Sequence, residues 1–147
     1  MSALIASDKG LKEDYKNLQT IPGISKTTAM TIVSLVPDIS TFDNARQLAA
    51  YAGLTPRHRS SGTSLRGKTI LSKIGSERLR KALFFPAMSA KRYNVIVKDF
   101  SDKLLQRSKS PMVVGVAAMR KLIHIVYAVL KHKCTFNPDI NTIKNTI

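Results

Sequence analysis

The chain has 147 residues, 44% of them hydrophobic, which suits one domain with a real core and excludes a disordered tail. Lysine and arginine number 24 against 9 acids, leaving a formal charge of +15 and a pI near 10.3, so the expected partner is a polyanion, nucleic acid first of all. The single cysteine, Cys134, excludes an internal disulfide and fits a reducing cytoplasm. With His58, His124 and His132 it does not make the set of about four ligands that a structural zinc needs.

Taken in order, residues 1–10 read as a flexible N-terminus. No basic segment followed by an apolar core stands there, so no signal peptide is expected. Leu11, Tyr15 and Leu18 recur at helical spacing and predict a short helix that ends before Ile21. Pro22 and Gly23 then make a tight turn, and Ser25 caps a second helix to about Val36, where Pro37 stops it. Residues 15–36 thus read as a helix-hairpin-helix. Its Pro22, Gly23, Ile24, Ser25 and Lys26 would let amides at a helix N-terminus hold a DNA phosphate without reading bases. An ordinary turn packed in the core fits the same residues. Asp43 or Thr41 caps a third helix from about Asn44 to Ala52, and Gly53 ends it.

Residues 54–75 predict a long basic loop, with Thr69-Ile70-Leu71 as a short strand and a loose β-hairpin compatible with the pattern. Between residues 51 and 81 stand Arg57, Arg59, Arg66, Lys68, Lys73, Arg78, Arg80 and Lys81, against one acid, Glu77. At the centre are Ser60, Ser61 and Gly62, two hydroxyls followed by a permissive backbone position. Ser76 caps the next helix, with Leu79, Leu83 and Ala87 inward, Arg78 and Lys81 outward, and Pro86 placed to kink it. Asn94 caps another helix, expected to bury Val97, Phe100, Leu104 and Leu105 and to turn Lys98, Lys103 and Arg107 outward. Ser110 and Pro111 start a last helix, to about His132, whose core positions are Met112, Val116, Met119, Ile123, Val126 and Leu130. Its apolar run near Met112 to Met119 is too short to span a bilayer, so no membrane association is expected. The tail over residues 134–147 reads as poorly ordered. The fold class is mainly α: a compact helical domain over residues 11–133, with helices over 76–132.

Several chemistries can be weighed on these residues. A metal-dependent nuclease needs clustered carboxylates, whereas Asp8, Glu13, Asp14, Asp38, Asp43, Glu77, Asp99, Asp102 and Asp139 are scattered. Arg120, His124 and Tyr127 share one face of the last helix, as a tyrosine recombinase would require, but that helix is otherwise apolar. RNA binding through stacked bases would need aromatics interleaved with the cations, and the basic loop lacks them. Serine chemistry fits better. Ser60 and Ser61 lie between Arg57 and Arg59 on one side and Arg66 on the other, with Arg80 on the nearby helix, guanidinium groups suited to bind phosphate and the charge that gathers on a phosphoryl oxygen. His58 is the one nearby candidate base. A serine pair in a basic loop that only turns the chain and donates to phosphates remains the simpler alternative.

The stretches LQTIPGISKTTA, ARQLAAYAGLTPRHRSSG, KIGSERLRKALFFPAM and AAMRKLIHIVYAVL, in this order, resemble the C-terminal domain of DEDD-type insertion-sequence transposases, the family that includes the RNA-guided bridge recombinases. The likeness covers roughly Leu11 to Lys133. It implies that the serine before the glycine, Ser61 here, is the nucleophile and forms a phosphoserine link to DNA. It also implies a homo-oligomer on donor and target DNA, a structured guide RNA in some members, and a bacterial, nucleoid-associated setting. A separate RuvC-like domain carries the family's acidic residues and binds magnesium. That domain has no counterpart between Met1 and the hairpin, so cleavage by these residues alone is not expected, while DNA binding is expected to persist; the partner would be the RuvC-like domain or a second transposase fragment. Without it the chain would be a non-enzymatic DNA-binding remnant. The turn also reads PGIS where the family has PGIG, which leaves the backbone less free.

Overall fold

The computed structural model of the chain describes residues 8–57, 70–71 and 74–139. The expectations for residues 1–7, 58–69, 72–73 and 140–147 lie outside them. Asp8 opens the first helix, α1 (Lys9–Gln19), by accepting hydrogen bonds from the N–H groups of Gly10 and Leu11. Residues 8–10 are the cap and first turn of this helix, which starts before Leu11. Ser25 caps α2 (Lys26–Leu35) through the Thr28 N–H at 3.2 Å, as its hydroxyl predicts. A short 3-10 turn (Ile39–Thr41) follows, capped by Asp38. The third helix, α3 (Ala45–Tyr51), is capped by Asn44 and not by Asp43 or Thr41. The Asn44 amide oxygen takes the Gln47 N–H at 3.0 Å, while the Gln47 side chain folds back to accept from the Asp43 N–H at 2.8 Å. Strands β1 (Pro56–Arg57) and β2 (Ile70–Leu71) pair antiparallel, Pro56 opposite Leu71 and Arg57 opposite Ile70.

Three helices complete the described chain: α4 (Glu77–Tyr93), α5 (Val95–Gln106) and α6 (Pro111–His132). Ser76 and Ser110 cap α4 and α6 as their hydroxyls predict. Asn94 both ends α4 and begins α5. It is fully buried, its amide oxygen accepts from the Ile96 and Val97 N–H groups, and its amide nitrogen donates to the Pro22 carbonyl at 3.3 Å. One side chain thus fixes a helix corner and ties it to the turn between α1 and α2.

The core is organised around α6. Every residue from Leu122 to Leu130 is buried, so this segment is apolar on all sides and must be enclosed by other elements. It is touched by α1, α3, α4, α5 and the 3-10 turn. Taken whole, α6 is long and apolar enough to cross a membrane, more than the short run near Met112 suggests; 72% of its most apolar stretch is nevertheless buried inside the protein. Tyr127, read as sharing a face with Arg120 and His124, is buried and donates its hydroxyl to the Phe42 carbonyl at 3.1 Å. That bond locks the α3 entry onto α6 and occupies the phenol.

Several expectations need correction, Val116 among them, which is half-buried and not in the core. Met112 is 81% exposed, because the start of α6 turns Val114 and Gly115 to the core and Met112 lies on the other side of the helix. Leu105 is 44% exposed: α5 turns Val97 and Ser101 to the core, Phe100 and Leu104 are half-buried, and Leu105 lies around the helix from that contact. The tail is not loose at its start: the Phe136 N–H donates to the Thr20 hydroxyl at 2.8 Å and its ring packs on the core.

His124 is buried, and among the described residues neither ring nitrogen has a hydrogen-bond partner. Burial first, then the positive charges of Arg120, Lys121 and Arg46, lowers its pKa from 6.5 to about 4. The unfolded chain therefore binds a proton between those values that the folded chain refuses, so stability falls as pH drops. We expect acidification from pH 7 to 4 to cost on the order of 3 kcal/mol through this residue. Urea unfolding at several pH values measures it, and His124→Leu should flatten the slope.

Candidate nucleic-acid interface

The base of the basic loop is clamped between the end of α3 and the start of α4. Gly53 follows α3 with φ +71°, a left-handed conformation suited to glycine. Its N–H bonds the Ala50 carbonyl at 2.9 Å, and the Leu54 N–H bonds the Ala49 carbonyl at 2.9 Å, a Schellman ending sealed by the buried Leu54. On the returning side, Gly75 has φ +135° and lies flat against the same helix end. A Cβ there would stand 2.5 Å from the Tyr51 oxygen and 2.7 Å from the Gly53 nitrogen. The next residue, Ser76, donates its N–H to the Tyr51 carbonyl at 2.6 Å. Arg80 on α4 reaches across to the Ala52 carbonyl at 3.4 Å. The β1–β2 ladder closes the frame just outside these contacts.

The turn between α1 and α2 is packed inward. Ile21 and Ile24 are buried, and Gly23 has φ +106°. A Cβ on Gly23 would come within 2.9 Å of the Ala90 Cβ, the Ala90 nitrogen and the Pro86 oxygen of α4. The glycine is thus required for close approach of two parts of this chain, whatever lies outside. Ser25 sits at φ −82°, ψ 170°, extended backbone open to any residue, so serine in the last place of PGIS causes no strain. Ser25 and Lys26 form the exposed rim of the turn, while Pro22 is half-buried with its carbonyl held by Asn94.

Of the residues singled out by sequence, Arg59, Ser60, Ser61, Gly62, Arg66, Lys68 and Lys73 lie outside the described residues. Arg57 is located by its strand backbone. Arg78 is exposed on the first turn of α4, whereas Arg80 is half-buried and holds the loop base. The loop base and α4 therefore form one unit, and the α1–α2 turn docks on the far half of the same helix through Ala90 and Asn94.

Sequence reading missed an aromatic pair on this helix. Phe84 and Phe85 are 47% and 78% exposed, with ring centroids 5.3 Å apart in a T-shaped arrangement. The helical period held the signal: with Leu79, Leu83, Ala87 and Ala90 inward, position 85 falls on the opposite face. Among the described residues no group of three or more histidines, cysteines or acids is placed to hold a metal. Asp8 and Asp38 cap turns, and Asp14, Glu77, Asp99 and Asp102 each pair with a lysine. These residues do not fit a magnesium site.

Comparison with known proteins assigns the family. The profile of the Transposase IS116/IS110/IS902 family matches residues 15–102, from α1 through the loop to α5. The chain belongs to this family of insertion-sequence transposases. It is 40% identical over 126 residues to the pilin gene-inverting protein of Moraxella lacunata, covering 84% of this chain and 39% of that protein. It is 39% identical over 94 residues to the transposase for insertion sequence element IS1111A of Coxiella burnetii, covering 62% of this chain and 24% of that one. The insertion element IS110 uncharacterized 43.6 kDa protein of Streptomyces coelicolor is 30% identical over 114 residues, 78% of this chain and 28% of that protein. The chain thus spans well under half the length of these curated relatives.

The two glycine contacts give a direct test of the frame. Gly75→Ala and Gly23→Ala each add a Cβ at positive φ against backbone, and each should cost about 2–4 kcal/mol. Thermal unfolding measures the loss, and Gly10→Ala, where the nearest contact is 3.3 Å, serves as a mild control.

Proposed function

We propose that this chain is the serine-bearing part of a DNA transposase, in which Ser61 cleaves and rejoins DNA strands through a phosphoserine intermediate. The Ser61 hydroxyl attacks a backbone phosphorus. The new serine–phosphorus bond forms as the bond to the leaving sugar oxygen breaks, and that oxygen gains a proton. The serine proton passes to a base, for which His58 is the nearest in sequence. Arg57, Arg59 and Arg66 bind the phosphate and the charge that builds on its oxygens. Lys68, Lys73 and Arg78 extend the cationic track, and Arg80 keeps the loop base in place. Residues 15–36 act as a helix-hairpin-helix whose rim, Ser25 and Lys26, meets a phosphate at the α2 N-terminus.

The observation that carries this reading is the clamped base of the most cationic loop in a chain of +15, within a transposase family. A nucleophile needs its loop aimed at the phosphate, and the bond from Ser76 to Tyr51 fixes where that loop leaves and re-enters the frame. The relatives carry names of transposition and of pilin gene inversion, both rearrangements of DNA. In our reading this part works together with an acidic RuvC-like domain that binds magnesium, and the assembly is a homo-oligomer that in some settings holds a structured guide RNA. No step assigned to this chain passes through the metal.

Covalent trapping on a denaturing gel tests the reading. The chain is mixed with labelled DNA bearing the element ends, with and without the separately expressed acidic domain and magnesium. A shifted band that disappears with Ser61→Ala is the expected result. Retention of the band in that variant would exclude Ser61 as nucleophile. Salt-dependent binding without any covalent band would favour a binding-only protein. Arg59→Ala combined with Arg66→Ala should weaken binding and flatten the dependence of log K on log salt by about one for each phosphate no longer neutralised.

A further inference from the structure

The exposed face of α4 combines charge with aromatic surface. Arg78, Lys81, Phe85 and Arg92 succeed one another at helical spacing on the side opposite Leu79, Leu83 and Ala90, and all four are exposed. Phe84 flanks Phe85 and meets its ring edge-on. The acid on this stripe, Glu77, pairs with Lys81 at 2.7 Å in an ion pair 75% and 63% exposed, which an incoming phosphate can readily replace. A phenylalanine left 78% in water, between cations one turn before it and two turns after it, is unsuited to core packing. It does suit a polyanion that also has flat apolar faces, which is a nucleic-acid strand. In a regular duplex those faces are covered by the neighbouring base pairs. The ring therefore has a partner only where a base has left the stack.

We propose that Phe85, supported edge-on by Phe84, stacks on an unstacked DNA base while Arg78, Lys81 and Arg92 hold the flanking phosphates. The helix that ends the basic loop would then carry the strand away from the phosphate being processed and mark a distortion beside it. The proposal rests on DNA being the ligand, and it adds a requirement for a base out of the stack. From Arg78 to Arg92 the stripe runs about 21 Å at 1.5 Å per residue, a length that covers several nucleotides of one strand.

The test compares three probes of one sequence: a perfect DNA duplex, the same duplex with a single bulged 2-aminopurine, and an RNA version of the bulged duplex. The full chain is titrated with each, and both affinity and 2-aminopurine fluorescence are read. The expected result is tighter binding to the bulged DNA than to the perfect duplex by about tenfold or more, with quenching of the probe. Phe85→Leu, which keeps an apolar side chain and removes the ring face, should abolish that preference and the quenching. Its affinity for the perfect duplex and its thermal unfolding should stay unchanged. Arg92→Ala should weaken binding to both DNA probes and flatten the salt dependence. Unchanged preference and quenching in Phe85→Leu would overturn the stacking role and leave the basic-loop reading intact. Failure of the wild-type chain to bind any probe would overturn both. Tighter binding to RNA than to DNA would overturn the choice of DNA. A change of oligomeric state in Phe85→Leu by light scattering, with DNA binding unaltered, would assign the aromatic pair to a protein interface and overturn the proposal.

Discussion

Burial of the second half of α6 on every side is the constraint from which the rest of this structure follows. A helix whose residues from Leu122 to Leu130 all avoid water has no polar face to leave outside, so neighbours must close around it. Packing α3 and α4 on it brings the end of one helix beside the start of the other, although residues 52–76 separate them in sequence. That proximity allows the Ser76 N–H to reach the Tyr51 carbonyl and Gly75 to lie against the α3 terminus. The clamp under the basic loop is thus a by-product of core packing. The Tyr127 bond to Phe42 sets the rotation of α6 against the α3 entry.

The α1–α2 turn serves the fold before it serves any ligand. A glycine with positive φ between two helices suggests a backbone bared to a phosphate. In this chain Gly23 meets Ala90 and Pro86 of α4, and Asn94 binds the adjoining carbonyl. The inner side of the turn is therefore committed to its own protein. Only the rim at Ser25 and Lys26 is turned to solvent, and contact with a nucleic acid there would be shallow. Much of the surface suited to a long anion lies on α4, which carries Arg78, Lys81, Phe84, Phe85 and Arg92 exposed together.

Helix starts were legible in the sequence because the caps are short-range: Ser25, Ser76, Asn94 and Ser110 each bond an amide two or three residues on. The choice between Asp43 and Asn44 was not legible, since either oxygen can cap and Gln47 decided it by folding back to the Asp43 amide. Inward positions in the middle of helices were legible from period alone. Met112 and Leu105 were not, because period says which face a residue occupies and nothing about whether a neighbour reaches that far along the helix. The loop was legible as basic and serine-bearing. Its clamp was not, because Gly75 and Tyr51 meet across a long stretch of chain. Period set Phe85 off the buried face of α4, yet only the packing of the neighbouring helices shows how much of it and of Phe84 is left exposed.

The chain's first and last described segments are sewn together. Lys133, just past α6, holds the Asp14 carboxylate of α1 at 2.7 Å, and Phe136 bonds Thr20 at the end of the same helix. Asp14 is only 15% exposed, so this ion pair is less diluted by water than the others at the surface. When the two ends are pulled apart, as when a protein is held between two points on a moving polymer, that seam bears the load first. Parting it strips α1 and the tail from one flank of α6 while the clamp under the loop, formed by α3 and α4, keeps its own contacts. Tension would therefore reach the α3–α4 clamp last, and the domain could yield at its ends while the contacts of Ser76 and Gly75 on the α3 terminus hold.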